Sequence, residues 1–493
     1  MLAETRTSVR NAGWLFLQHG GQAISGVLFT LLIPRTMGSL SWGQYALLSS
    51  LSLWFIIGSR LGMSQVLGRY VPEVGRGEPL VALMGRLLTA QLVVSATAAG
   101  AFWLVTRLWL TDINAWALPL MGAVVFTRGL SSLLASLQHG LNRSAQWGLS
   151  QTVRSWLSLA GLLIGYRLAG LPGAAGGLLV GELLVLMMNI RWSLPYVGWP
   201  RPRFDLKALQ PYVSLALVFA AAELVATSAR HSGESILRLL DLPYESIGHF
   251  GLAYNIAGMG TLALSQVVFS FLPLTVQLSQ ASESGRVQAV LQSLLKLLTA
   301  LGVLVLYATL WLGPVLIPAL LGDSFRPVAM LLVPMALSVV ATPLGSVGRL
   351  LCIVSDRPRI ALIADIVLLA TFWGLGVPLT LWRNALGLSL AVLISSLAAI
   401  GYIYLAMGAQ GPRSAWPWAL PSWAGVVALG LCGLPLCLLP IDGLWRWLLW
   451  LLVSAAYATA LFATRLFTIT QLRALIALLR PHRAGPALAQ EER

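Results

Sequence analysis

Fourteen apolar runs, each close to twenty residues long and nearly free of charge, divide this chain from end to end. They lie near 12–33, 42–64, 87–110, 115–138, 146–169, 172–192, 211–231, 247–273, 291–312, 327–350, 359–381, 384–407, 418–439 and 444–464. A bilayer core of about 30 Å is crossed by about 20 apolar residues in helix. No water is available there to the backbone, so a spanning element must be a helix or a closed barrel. The runs are continuous rather than alternating, which selects helices over barrel strands. The expected fold class is therefore an all-α integral membrane protein with about fourteen transmembrane helices. Composition agrees, with 57% hydrophobic and 10% charged residues and a mean hydropathy of +0.81; about a quarter of a soluble domain is charged.

Arg6 and Arg10 stand before the first run and could open a signal peptide. The run exceeds the ~7–15 residues of a signal core, and no small-residue cleavage site follows, so it is expected to stay as an anchor. Segments on the N-terminal side of the membrane carry most of the basic residues, among them Arg69, Arg76, Arg86, Arg201, Arg203 and Lys207. The opposite side carries Arg35, Arg107, Arg167, Arg230, Arg238, Arg326, Arg383 and Arg446. The positive-inside rule reads this bias as cytoplasmic termini. It also accounts for the formal net charge of +15 without nucleic acid.

Cys352, Cys432 and Cys437 lie in or near spans and form neither a disulfide framework nor a metal motif. Nor does the sequence contain HExxH, GxSxG, a P-loop or a Cys/His cluster. The expectation is a protein that is not an enzyme and binds no metal or organic cofactor, a coupling proton or sodium ion excepted.

The longest connection, "SLPYVGWPRPRFDLKALQ" (193–210), is basic and Pro-rich and follows six spans. It divides the chain into an N-terminal six-helix lobe (1–192) and a C-terminal one (211–410). Two further helices (411–464) and a basic tail (465–493) follow; in the tail "RLFTITQLRALIALLR" reads as an interfacial helix. "SWGQYALLSSLS" (41–52) returns 205 residues later as "SIGHFGLAYNIA" (246–257), entering the second span of each lobe in the same direction. That is the pattern of a parallel repeat about an axis along the membrane normal.

Charges inside spans cost about 2.5–3.5 kcal/mol each at the helix centre, so each asks for a reason. Arg60, Arg128 and Arg154 are the embedded cations; Glu182, Glu223 and Asp365 are the acids. Two readings stand for them. They pair with one another to tie helices together, with Arg60 reaching out to the membrane surface, or they bind a ligand and a coupling ion. Gln18, Gln22 and Ser25 share one face of the first span, with His19 beside them, and Asn255 gives the eighth span similar polarity. Such a face meets a wet cavity or another helix. Gly161/Gly165 and Gly177/Gly181 are close-packing pairs. Of the 32 basic residues only Lys207 and Lys296 are lysine, and the planar guanidinium fork suits phosphate.

The opening span, the corner "PRTMGSLSWGQYALL" and "LGMSQVLGRYVPE" (61–73) resemble the Wzx-type O-antigen and capsule flippases of the multidrug/oligosaccharidyl-lipid/polysaccharide (MOP) exporter superfamily. Residues 234–258 are similar to the matching corner of the second half. Arg35 and Gly38 correspond to the corner motif, and Gly43, Tyr45 and Gly248 to its repeated positions. The chain departs from the family at Arg60, where an Asp is common, and around the seventh span, where Glu234 stands near the family's Asp.

The resemblance implies two lobes around a central cavity lined by spans 1, 2, 7 and 8. It also implies alternating access and a polyprenyl-diphosphate-linked oligosaccharide moved from inner to outer leaflet of a bacterial inner membrane. Partners would be that lipid, the surrounding membrane lipids and other polysaccharide-assembly membrane proteins. Arg60, Arg128, Arg154 and Arg230 are then the head-group cations, Gln18, Gln22, Ser25 and Asn255 cavity polar groups, and Glu182, Glu223 and Asp365 the ion-coupling candidates. A drug or organic-cation antiporter of the same superfamily is the alternative.

Overall fold

The computed structural model describes residues 2–60, 77–199, 231–280, 284–409, 416–437 and 443–468, with isolated positions between 62 and 71 and between 210 and 228. Arg230 and the tail beyond residue 468 lie outside the described residues, as does most of the predicted span 211–231. Of residues 2–17 and of His19 only the backbone is described.

Among the described residues all regular structure is helical. In chain order the helices are α1 (Leu2–Arg60), α2 (Glu78–Trp109), α3 (Ala117–Gly140), α4 (Ser144–Val197), α5 (Gly233–Leu239), α6 (Tyr244–Ser270) and α7 (Leu272–Gln280). They continue with α8 (Ser284–Leu321), α9 (Pro327–Val354), α10 (Pro358–Ala409), α11 (Trp416–Leu431), α12 (Leu434–Cys437) and α13 (Leu444–Ala463). A 3-10 turn, Asp323–Phe325, precedes α9. Ten of these segments are long and apolar enough to cross a membrane, and the chain is a multi-pass membrane protein.

Three of them are too long to be single crossings. α1, α4 and α10 have 59, 54 and 52 residues; at 1.5 Å per residue a straight helix of that length would measure about 80 Å. Each is broken near its middle, at Gly38 (φ 74), at Ala169–Gly170 and at Arg383–Asn384. In α4 the two limbs fold back so closely that Gly161 lies on Gly177 and Gly165 on Gly173, backbone to backbone. A Cβ on Gly181 would stand 3.3 Å from Leu157. In α10, Gly387 lies on the Leu379 carbonyl. In α1, Phe29 reaches Trp42 and Tyr45 with ring centroids 6.0 and 6.3 Å apart, contacts that only a reversal of the chain allows. The predicted gaps 33/42, 169/172 and 381/384 fall at these three breaks. At the corner the gap is narrower than expected, because helix resumes at Ser39 directly after Gly38.

Two compact units are formed. The first comprises residues 1–252, 318–328 and 373–388; the second comprises 253–317, 329–372 and 389–493. One core of the first unit is built on Val66, Leu67, Leu80, Leu87, Leu133 and Leu137. That of the second includes Leu291, Leu295, Trp311, Val347, Leu350 and Ile403. Here α11 is pinned by side-chain bonds to backbone carbonyls: the Trp423 Nε1–H donates to Val340 O at 3.0 Å and the Tyr457 hydroxyl to Val426 O at 3.2 Å.

Within the first unit the two copies of the repeated phrase meet. A Cβ on Gly43 would strike the Tyr244 carbonyl; one on Gly248 would stand 2.9 Å from Gly43 N and 2.9 Å from Ser39 O. Ala46 and Gly251 approach beside them, where a Cβ at Gly251 would stand in ordinary contact, 3.4 Å from the Ala46 methyl. Residues 39, 43 and 46 share one helix face, as do 244, 248 and 251. Trp42 closes the crossing, its indole N–H donating to Gly248 O at 3.0 Å.

Candidate functional site

Four helical limbs of the first unit place charges at one level of the bundle. The second limb of α1 ends in Arg60, α3 carries Arg128, and the hairpin α4 carries Arg154 on its outgoing limb and Glu182 on its return. The tight glycine contacts of that hairpin bring Arg154 and Glu182 face to face across it.

Arg154 is the anchored member. Its side chain is 7% exposed, and every nitrogen has a partner: Nε donates to Glu182 Oε2 at 3.1 Å, one terminal nitrogen to Gln151 Oε1 at 2.7 Å, the other to Ser131 Oγ at 2.8 Å. Asn189, two turns beyond Glu182, donates to the same Ser131 Oγ at 2.9 Å and accepts from Gln138 at 3.2 Å. A buried guanidinium–carboxylate pair is sustained only when its remaining hydrogen-bonding capacity is met in this way.

Arg128 and Arg60 are held differently. Arg128 Nε lies 3.5 Å from the other oxygen of Glu182, and its side chain is 32% exposed. A terminal nitrogen of Arg60 is 3.6 Å from Glu223, the two side chains being 28% and 29% exposed. These separations are ion pairs without hydrogen bonds. The Nε of each arginine has no hydrogen-bond partner. Arg60, Arg128, Arg154, Glu182 and Glu223 lie within electrostatic reach of one another. Three guanidiniums against two carboxylates leave the cluster one positive charge in excess, with two of its cations half-open and under-coordinated. Chemically it is suited to an anion with several oxygen acceptors.

Helix approach behind the cluster depends on Gly129. A Cβ there would meet Ser95 Oγ, Ser59 Oγ at 2.8 Å and Gln91 Nε2 at 3.2 Å. Gln91, 1% exposed, donates to the Ser59 carbonyl at 2.7 Å and to Ser95 Oγ at 2.8 Å. It thus fixes the backbone one residue before Arg60.

The remaining sequence-predicted residues fall elsewhere. Gln18 and Ser25 are buried; Gln18 packs on Gly148, and the Ser25 hydroxyl donates to its own helix at Gln22 O. Gln22 is half-buried. Arg35 is exposed at the end of the first limb, Gly38 is the break itself, and Gly43, Tyr45 and Gly248 form the crossing described above. Asn255 and Asp365 belong to the second unit, where Asp365 accepts a two-pronged contact from Arg349 at 2.6 and 3.1 Å. The residues missed from sequence are uncharged: Gln91, Ser131, Gln138, Gln151 and Asn189. Heptad spacing, 182 to 189 and 131 to 138, was the signal that could have found three of them.

The helices and breaks form a fold that is shared with solved transporter structures. Over 92% of this chain and 99% of the other, the structure is similar to lipid II flippase MurJ in an inward closed conformation, at a TM-score of 0.71 and 13% identity. It is also similar to a multidrug resistance MATE family transporter in an inward-facing conformation, at 0.63 and 13% identity over 79% of this chain and 93% of that one. The eukaryotic MATE transporter AtDTX14 is similar at 0.54, with 13% identity over 83% and 96%. No protein-family model matches the chain. No curated protein matches it either.

Proposed function

We propose that the protein is a flippase for polyprenyl-diphosphate-linked oligosaccharides, carrying the head group from inner to outer leaflet of a bacterial inner membrane by alternating access. The lobes 1–192 and 211–410 would rock about the linker 193–210, with both termini cytoplasmic. The observation that carries this reading is the net-positive cluster of Arg60, Arg128 and Arg154 with Glu182 and Glu223 inside an apolar bundle. A diphosphate offers such under-coordinated guanidiniums several oxygens at once, and low-dielectric surroundings strengthen the attraction. An organic cation would meet the wrong sign of charge. The shared fold with a lipid II flippase supports a lipid-borne substrate.

The test is leaflet exchange of a fluorescent polyprenyl-diphosphate-sugar in proteoliposomes, for the wild type and Arg128→Ala, with an organic cation as parallel substrate. Lipid exchange that collapses in the variant is the expected result. Cation uptake without lipid exchange would move the protein to the drug or organic-cation antiporters, a reading that the MATE-like fold keeps open.

A further inference from the structure

Helix α5 lies in the connection between the predicted span 211–231 and α6, outside the ten apolar helices. It carries Glu234 and Arg238 one turn apart on one face. Glu234 is 6% exposed, and its Oε2 has no hydrogen-bond partner. Its other oxygen lies against Gly251, where a Cβ would stand 3.1 Å from it, beside the Ala46 methyl. The carboxyl therefore rests on the crossing between the repeated phrases. Arg238 turns the other way: one terminal nitrogen bonds both oxygens of Asp112 at 3.1 and 3.0 Å. The guanidinium sits 4.8 Å over the Tyr244 ring, whose hydroxyl donates to Asp112 Oδ1 at 2.8 Å.

Glu234 keeps a hydrogen bond to its own backbone, but a buried carboxylate with one oxygen unpartnered is costly, and the neutral acid is the form such a site favours. Burial pushes Glu234 up to about 7. Once ionised, it has a cation in the favoured position, since Glu four residues before Arg is the better orientation of that pair. That cation is the one Asp112 holds.

We propose that Glu234 is a proton-binding site that operates the Arg238–Asp112 clasp. With the proton on, Glu234 packs neutral against Gly251 and Ala46, and Arg238 is left to Asp112. When the proton leaves to solvent, the new carboxylate draws Arg238 away, Asp112 returns to water, and the crossing loosens. The clasp is closed below the pKa of Glu234 and lost as pH rises through it. Other titratable groups on the packed elements are engaged elsewhere. Tyr45 stacks with Phe29 and Trp42, Tyr244 bonds Asp112, and His249 contacts Ser324 O at 2.7 Å and the Phe325 ring. Glu245 is half-buried in the first turn of α6, on a different face from Gly251.

The test uses the full chain in liposomes, with Cys352, Cys432 and Cys437 replaced by alanine and Ala46→Cys added. Maleimide labelling at position 46 is followed against pH, each rate normalised to the same thiol in unfolded protein. Labelling should fall about tenfold per pH unit below the midpoint. Glu234→Gln should label slowly at every pH, and Asp112→Asn, by freeing Arg238, should move the midpoint to lower pH. In parallel, on the chain with Ala46 intact, an infrared carbonyl band of a protonated carboxyl should vanish as pH rises and be missing from Glu234→Gln. A Glu234→Gln protein with the parent's pH dependence, or a parent with neither response, overturns the proposal. None of these readouts requires lipid transport, so a failed flippase assay leaves the result standing.

Discussion

Gly43 and Gly248 stand 205 residues apart in the chain and lie backbone against backbone in the fold. Their neighbours Ser39 and Tyr244, and Ala46 and Gly251, are separated by the same interval and belong to the same contact. The two copies of the phrase are thus in contact with each other.

A methyl group at this crossing has nowhere to go. Gly43→Ala and Gly248→Ala should each destabilise the protein by about 1–3 kcal/mol, the usual cost of overpacking. Gly100→Ala is the control, because a Cβ there meets nothing within 4 Å and alanine is the better helix former. Thermal unfolding in detergent would separate them; equal midpoints for Gly43→Ala and Gly100→Ala would remove the crossing from the account of stability.

Arg154 and Arg128 share Glu182 but differ in what they hold. Arg154→Ala leaves the buried Glu182 with only the 3.5 Å contact to Arg128 and should cost about 3–5 kcal/mol. The half-exposed Arg128, on a 3.5 Å contact, should cost under about 1 kcal/mol when changed to alanine. A double-mutant cycle with Glu182→Gln would show coupling for Arg154 several times that for Arg128.

Gln91→Glu keeps the shape of the side chain and removes the amide N–H that the Ser59 carbonyl accepts. It also brings negative charge toward Arg60. Binding of an anionic diphosphate lipid should weaken about tenfold or more, since a buried unmade hydrogen bond alone is worth about 1–3 kcal/mol. Unchanged affinity in a microscale binding assay would show that Arg60 needs no fixed backbone.

Arg128→Lys retains the charge and loses the fork. If Arg128 grips a phosphate, lysine should recover only part of the binding lost in Arg128→Ala, and added salt should weaken the lysine variant further. Full recovery by lysine would reduce the role of Arg128 to charge alone.

Much of this was legible before the fold was known, and the limits have physical causes. Breaks at Gly38, Ala169–Gly170 and Arg383–Asn384 fall in the gaps between apolar runs, because reversals in a membrane occur where polar or small residues reach its surface. Arg154 and Glu182 stood out as embedded charges, and their pairing was one of the two readings they allowed. Asn189, Ser131, Gln138 and Gln91 did not stand out, since an uncharged polar residue scarcely dents the hydropathy of a run. Glu234 stood near the position of the family's Asp, but its burial could not be read from the sequence. It lies in what reads as a connection, and only the packing of Gly251 and Ala46 around it makes it a buried acid. The repeat could be read from the phrases themselves, but similarity gives a symmetry relation and says nothing of distance to the axis.

That distance has a consequence for how the two halves of the sequence can change. A residue that touches its own repeat equivalent is what a two-fold dimer interface looks like when both copies belong to one chain. Positions 43 and 248 are therefore one site occupied twice. Volume added on one side is taken from the other, and neither half is free to drift at this point without the consent of its twin.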